Sequence, residues 1–263
     1  ERTVSLGIAE QNMVSVAAGL ASCGKVPFAS TFAIFSERAF EQVRNGVARP
    51  GLVAHLCGSH GGIHTGTDGS SAQSIEDLAI YRTIPGMTVM HPCDDLSAKE
   101  LTIQLLNHKS PSYTRTARNK TPRMYDEDTI KELKIGKASI LREGADIAII
   151  ACGVMVHKAV TAAINLSKEG IDTYVVDMHT IKPLDAELIN KLASTCKGIV
   201  TVEDHCIIGC LGSSISEYLS TTNPTKITMI GVEDRFGESG GSEELLELVG
   251  LTVERIEEAC RVL

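Results

Sequence analysis

The stretch DIAIIACGVMVHKAVTAAINLSKEGIDTYVV, running from Asp146 to Val176, decides the fold class. Ile147–Ala151 is a short, wholly apolar run rich in β-branched residues. It is followed by helical periodicity from about Val154 to Lys168, a helix stop at Gly170, and a second apolar run at Thr173–Val176. Two apolar strands joined by an amphipathic helix are a parallel crossover unit. The pattern continues outward toward the C-terminus: a helix near Asp185–Ala193, a strand at Ile199–Val202, a helix near Ser213–Leu219, a strand at Ile227–Val232, and helices at Glu243–Leu248 and Val253–Leu263. Pro183 reads as a first-turn proline of the helix that follows it. This half is therefore expected to be an α/β domain with a mainly parallel sheet covered by helices on both faces.

Toward the N-terminus the same logic is less regular. Met13, Val16, Ala17 and Leu20 mark one face of a helix starting near Ala9, and Phe40, Val43 and Val47 mark another from about Ser36. A third follows Ser74, which with Asp77 forms a variant of the capping box. Strands fit at Phe28–Thr31, Leu52–Leu56 and Thr88–Met90, and the polar stretch Asn119–Asp128 reads as the linker between two domains. The domains are placed at residues 1–122 and 130–263.

A chain of 263 residues with 43% apolar content can bury two cores. The net charge of −8 and 4% aromatic content argue against a nucleic-acid surface or a polybasic membrane anchor. No apolar run approaches bilayer length, so the chain is not expected to enter a membrane, and the expected location, the cytoplasm, follows from the cysteines instead. Eight dispersed cysteines in a chain of this size point to reduced thiols. His205, Cys206 and Cys210 sketch a metal site that no second pair at ligand spacing completes, so buried thiols are the preferred reading and no metal ligand is assigned. The chain begins with Glu1, in mid-pattern, which suggests a fragment or a sequence whose start lies elsewhere.

Chemistry concentrates in Gly58-Ser-His-Gly-Gly-Ile-His-Thr-Gly-Thr-Asp-Gly69, where five glycines, two histidines and an aspartate fall within twelve residues. Glycines allow close backbone approach, and His60, His64 and Asp68 supply protons and hydrogen bonds. Neither a dinucleotide fingerprint nor a P-loop is present. Glu10 stands in the first turn of an otherwise apolar helix, where a carboxylate ordinarily serves the helix dipole.

An ordered set of strings gives these residues a family context. Gly7-Ile-Ala-Glu-Gln-Asn-Met13, Pro27-Phe-Ala-Ser-Thr-Phe-Ala-Ile-Phe35, Gly58-Ser-His60, Thr67-Asp-Gly69, Ile75-Glu-Asp-Leu-Ala79 and Arg115-Thr-Ala-Arg118 resemble the pyrimidine-binding domain of transketolase. Asp177-Met-His-Thr-Ile-Lys-Pro-Leu-Asp185 and Thr201-Val-Glu-Asp-His205 resemble the C-terminal domain of the same enzyme. The resemblance implies thiamine diphosphate chemistry. Glu10 matches the family's catalytic glutamate, which hydrogen-bonds N1′ of the aminopyrimidine so that the exocyclic nitrogen can take the thiazolium C2 proton. Phe32 and Phe35 match the aromatic residues that stack on the pyrimidine. His60 and Asp68 match substrate contacts, His60 near the reacting carbons and Asp68 at the C2 hydroxyl of the acceptor, and Arg118 matches the residue that takes the sugar phosphate.

The sequence also departs from the family. Ala72 stands where many relatives carry His or Gln, with Gln73 beside it as a partial substitute at the cofactor, and Thr67 stands where an acidic residue is common. The Gly-Asp-Gly unit with a downstream Asn, through which the family holds the diphosphate on Mg²⁺ (or Ca²⁺), does not occur, and the opening strand and helix of the pyrimidine domain are missing as well. The expected protein is therefore the C-terminal subunit of a split transketolase, moving a two-carbon ketol unit between sugar phosphates. An N-terminal, diphosphate-binding subunit would supply the metal, in an assembly expected to be α2β2. Two rivals remain: another thiamine enzyme, such as 1-deoxyxylulose-5-phosphate synthase or a 2-oxoacid dehydrogenase E1 β subunit, and a non-catalytic regulatory subunit.

Overall fold

The computed structural model describes residues 2–263. The N-terminal half runs α1 (Glu10–Ser22), β1 (Phe28–Phe32), α2 (Ala33–Ser36), β2 (His55–Ser59), α3 (Asp77–Arg82), β3 (Thr88–Met90), α4 (Asp95–Leu105) and β4 (Ser112–Thr116). The C-terminal half runs β5 (Ser139–Arg142), β6 (Ile147–Ala151), α5 (Val156–Lys168), β7 (Thr173–Asp177), β8 (Thr180–Lys182), α6 (Ala186–Thr195), β9 (Gly198–Cys206), α7 (Leu211–Thr222), β10 (Ile227–Val232), α8 (Ser242–Leu248) and α9 (Val253–Val262). Two five-stranded sheets result, ordered β1-β2-β4-β3-β8 and β10-β9-β6-β7-β5. Every pairing is parallel except β8 on β3 and β5 on β7, each an antiparallel edge. The α/β class with mainly parallel sheets is thus the observed one.

Strand β6 shows how the halves share one interior. Ala148 and Ile150 belong to the same buried cluster as Leu56, Leu78 and Tyr113 of the first half, whereas Ile147, Ile149 and Ala151 belong to a second cluster with Met90, Leu101 and Ile256. Alternate residues of a strand face opposite ways, and a strand covered on both faces must be apolar throughout. Strand β8 reaches across to close the first sheet. The two sheets are joined by shared cores as well as by the chain.

Several local expectations need correction. Strand β2 begins at His55 and carries on into the glycine-rich loop, so it lies three residues beyond the expected start. The helix expected from Ser36 is broken into α2, a 3₁₀ turn at Glu37–Ala39 and a π-helical stretch at Gln42–Ala48. Pro183 is not in a helical first turn: it follows a cis peptide bond, and Asp185 caps α6, accepting from the Leu188 N–H. The box at Ser74 is one-sided. Its Oγ accepts from Asp77 N–H at 3.2 Å, but the Asp77 carboxylate turns to Tyr113 and Arg115. The stretch Asn119–Asp128 is irregular but pinned: Asp94 Oδ2 accepts from the Met124 and Tyr125 N–H groups, and the buried Tyr125 donates its hydroxyl to Asp177. The segment expected as the linker is thus an ordered crossing between the halves.

Candidate active site

Parallel register brings the candidate residues together. Phe32, the last residue of β1, pairs with Ser59 at the end of β2, which pairs with Thr116 at the end of β4. His60 follows β2 directly and Arg118 stands two residues after β4, so three strand ends deliver Phe32, His60 and Arg118 to one edge of the sheet. Ligands of open α/β sheets bind just outside this carboxyl edge.

The rings form a stack. Phe32 and Phe35 lie 5.5 Å apart between centroids with planes 2° apart, and His60 lies 3.8 Å from Phe32 at 12°. Both phenylalanines are half-buried, leaving part of the platform open. His60 adopts φ 61°, a left-handed conformation rare outside glycine, and its Nδ1 lies 3.0 Å from Ser59 Oγ. Burial lowers its pKa from 6.5, with Asp68 opposing and Arg118 reinforcing the shift. The imidazole is therefore neutral at pH 7, and with Nδ1 engaged by Ser59 it leaves Nε2 for a ligand.

Asp68 and Arg118 form an ion pair, Nε to Oδ2 at 3.0 Å, with each side chain about one-third exposed. The contact is made on the Nε side, and the two terminal guanidinium nitrogens remain as donors for a ligand. Glu10 opens α1 and is 8% exposed, with Arg38 Nη1 3.6 Å from its Oε2. The Arg38 guanidinium also sits 5.1 Å from the Phe35 centroid. Gln73 is placed differently from the others. It is buried, and its amide nitrogen donates to the carbonyls of Gly66 and Glu238, both at 2.9 Å. It fastens the glycine-rich loop to a C-terminal segment.

Three participants escaped the sequence reading. Arg38 pairs with Glu10, and only its place three residues after Phe35 hinted at this. Glu37 accepts from the Ser74 hydroxyl, and burial pushes its carboxyl up to about 8, with Glu76 and Asp77 adding to the rise. Asp204 lies on β9, yet its two carboxylate oxygens accept from the N–H groups of Ile63 and His64, at 2.8 and 3.0 Å. Burial pushes Asp204 up against the opposing pull of Arg115.

The metal sketch resolves into structure. Glu203, His205 and Cys210 cluster, without Cys206. The Glu203 carboxylate accepts from the N–H groups of Leu211 and Gly212 at the start of α7, His205 Nδ1 meets the Cys206 carbonyl, and its Nε2 accepts from Ala79 N–H. Burial holds His205 down near 4 and pushes the Cys210 thiol well up. These donors are already committed to the protein.

With this geometry in place, comparison with known proteins identifies the lineage. The transketolase pyrimidine-binding domain family matches residues 1–124, and the transketolase C-terminal domain family matches residues 136–256. A Methanocaldococcus jannaschii protein provisionally named a transketolase C-terminal section is 43% identical over 97% of this chain and 81% of its own length. The chain belongs to the transketolase family. The 6-deoxy-6-sulfo-D-fructose transketolase subunit of Clostridium sp. strain MSTE9 is 41% identical, covering 97% of this chain and 79% of that one. A solved split-gene transketolase, described as an inactive β4 tetramer, superposes with a TM-score of 0.91 at 41% identity, over 97% of this chain and 82% of the other. Membership in this family implies a transferase and chemistry that uses thiamine diphosphate and a divalent metal. Among the described residues no helix is long and apolar enough to cross a membrane.

Proposed function

We propose that this chain is the C-terminal subunit of a split transketolase, which transfers a two-carbon ketol unit from a ketose phosphate to an aldose phosphate. The observation that carries the reading is the convergence at one sheet edge of the Phe35–Phe32–His60 stack with the Asp68–Arg118 pair, beside a buried Glu10. The platform is flat, apolar and partly open, and Glu10 is a shielded carboxyl whose near cation, Arg38, is 60% exposed. An aminopyrimidine, with one face to stack and one ring nitrogen to bond, fits that donor set. When bound, thiamine diphosphate supplies a carbanion-stabilising centre for the ketol fragment.

This chain's own residues would then divide the work. Glu10 shares a proton with the pyrimidine nitrogen. Phe32 and Phe35 orient the ring and exclude water. His60, neutral at working pH, offers Nε2 to substrate hydroxyls near the reacting carbons, Asp68 accepts from the acceptor's C2 hydroxyl, and Arg118 meets the phosphate. Gln73 reaches the cofactor only through the loop that it fastens.

Mg²⁺ is a hard ion needing an oxygen cage. The clustered metal-ligating side chains here are Glu203, His205 and Cys210, which include a thiol and are already bonded. We assign the metal, Mg²⁺ or Ca²⁺, to an N-terminal subunit in an α2β2 cytoplasmic assembly, with the domains of this chain at residues 1–122 and 130–263. Ile8, two residues from Glu10 and 93% exposed, leaves an apolar side chain open beside the site for such a partner. Pairing the purified chain with a diphosphate-binding subunit and assaying xylulose 5-phosphate against pyruvate as donor tests the reading. Turnover of pyruvate alone would place the chain with the other thiamine enzymes, and no turnover of either would favour a regulatory subunit.

A further inference from the structure

Two adjacent glycines in the His60 loop are gripped from opposite domains. A Cβ on Gly61 would stand 1.9 Å from Arg115 Nε, and one on Gly62 (φ +82°) would stand 2.2 Å from Asp204 Oδ2. Such distances are far inside contact, so the loop passes between these side chains only because it carries no side chains of its own there. Arg115 is fully buried on β4, donates from Nη1 to the Asp204 carbonyl at 2.7 Å and from Nη2 to the Ser74 carbonyl at 2.6 Å, and places Nε 3.4 Å from Asp77. The Ser74 carbonyl also accepts from Gly62 N–H at 2.6 Å. Asp204 completes the grip by accepting from Ile63 and His64 N–H.

The backbone immediately before this grip is the strained one: His60 sits at φ 61° with its ring stacked on Phe32. A left-handed non-glycine residue persists only where surrounding bonds over-determine it. We propose that Asp204, contributed by the C-terminal half, is a positioning residue of the active site, acting with Arg115 as a clasp that fixes the Gly61–His64 backbone and so holds the His60 ring in place. The clasp gives the C-terminal domain a direct part in the chemistry, through the loop and without touching substrate. As a catalytic role, this inference rests on the transketolase reading.

Hydrogen exchange resolved by mass spectrometry on the full chain, together with steady-state kinetics of the assembled enzyme, tests it. Asp204→Asn keeps the side-chain volume and removes one acceptor and the charge. Gly62→Ala presses on the same carboxylate from the loop side and, at φ +82°, also strains the loop backbone, so Asp204→Asn carries the decision and Gly62→Ala supports it. Both should raise exchange at the Ile63 and His64 amides about tenfold or more while the β6 amides stay protected. In the assembled enzyme kcat should fall by about 100-fold, the cost of roughly an ångström of misplacement, with KM for the phosphorylated acceptor changed less than threefold. Unchanged loop exchange in Asp204→Asn overturns the clasp. So does a rise of equal size throughout the chain, or global unfolding of both variants, since either would assign these residues to the stability of the fold. If the loop opens in the variants and the unmodified assembly turns over no sugar phosphate, the clasp stands and the transketolase reading falls.

Discussion

The imidazole of His60 lies parallel to the ring of Phe32, 3.8 Å away, on a backbone at φ 61°. The stack links the group proposed to face substrate to the platform proposed for the cofactor, so each should report on the other. Phe32→Leu removes the aromatic contact, worth about 0.5–1.5 kcal/mol beyond area burial, and admits water to the imidazole. Burial is the main cause of the lowered His60 pKa, so the variant's value should rise toward 6.5. Histidine NMR titration of native and variant chains measures this. A lower or unchanged value would mean that the loop, rather than the stack, shields the ring.

Glu10 makes a different test possible. Glu10→Gln in the assembled enzyme keeps a hydrogen bond to the pyrimidine nitrogen but cannot share a proton with it. Exchange of the cofactor C2 proton with deuterium should slow by at least about 100-fold, within the range of general acid–base effects, while cofactor affinity changes less than about tenfold. Equal exchange rates would return Glu10 to the service of the α1 dipole.

Glu37 predicts an alkaline loss of stability. Its folded pKa of about 8 lies above its ordinary 4.5, so the folded state holds a proton that the unfolded chain releases between those values. The stabilisation is complete below 4.5 and is lost as pH rises through 8. Glu37→Gln, which can keep the Ser74 contact without a charge, should flatten the decline in urea midpoint between pH 5 and 9. A variant with the native slope would place the titration elsewhere, for instance at Asp177, which burial raises to about 7.

How far these residues could be read in advance follows from the range of the interactions. The β6–α5–β7 unit was legible because its burial is local and periodic, and Phe32, His60 and Arg118 meet because they sit at the ends of neighbouring strands in register. Arg38 and Glu10 are 28 residues apart, and their pairing depends on how α1 packs against the turn after α2. The grip of Asp204 on Ile63 spans 141 residues. No periodicity encodes such a contact, although Gly61-Gly62 marks where something must come close. Pro183 misled for the opposite reason: its fixed φ suits a helical first turn and equally the turn that precedes Asp185.

Cofactor affinity should divide between subunits. The isolated chain offers a stacking platform and one carboxyl, and among the described residues the clustered metal-ligating side chains are Glu203, His205 and Cys210, which include a thiol and suit a hard ion poorly. Calorimetry with thiamine diphosphate and Mg²⁺ should therefore show binding weaker than about 100 μM, equivalent to less than about 5.5 kcal/mol. Submicromolar binding to this chain alone would contradict a site shared with a partner.

The phosphate end of the substrate gives the last prediction. Asp68 pairs with Arg118 on its Nε side, and the two terminal nitrogens remain for a ligand, a geometry suited to a planar fork that anchors one anion while a carboxylate stands beside it. The pair is about one-third exposed, so part of its strength is screened, and the loss on truncation should fall toward the low end for charge-assisted bonds. Arg118→Ala should then raise KM for ribose 5-phosphate by roughly 30-fold, about 2 kcal/mol, and leave KM for ribose within about threefold. Asp68→Asn separates the roles further: it releases the guanidinium but weakens the contact to the acceptor's hydroxyl, so both acceptors should suffer alike. Equal losses for the two acceptors in Arg118→Ala would mean that Arg118 serves only to hold Asp68 and that the phosphate is bound by other residues.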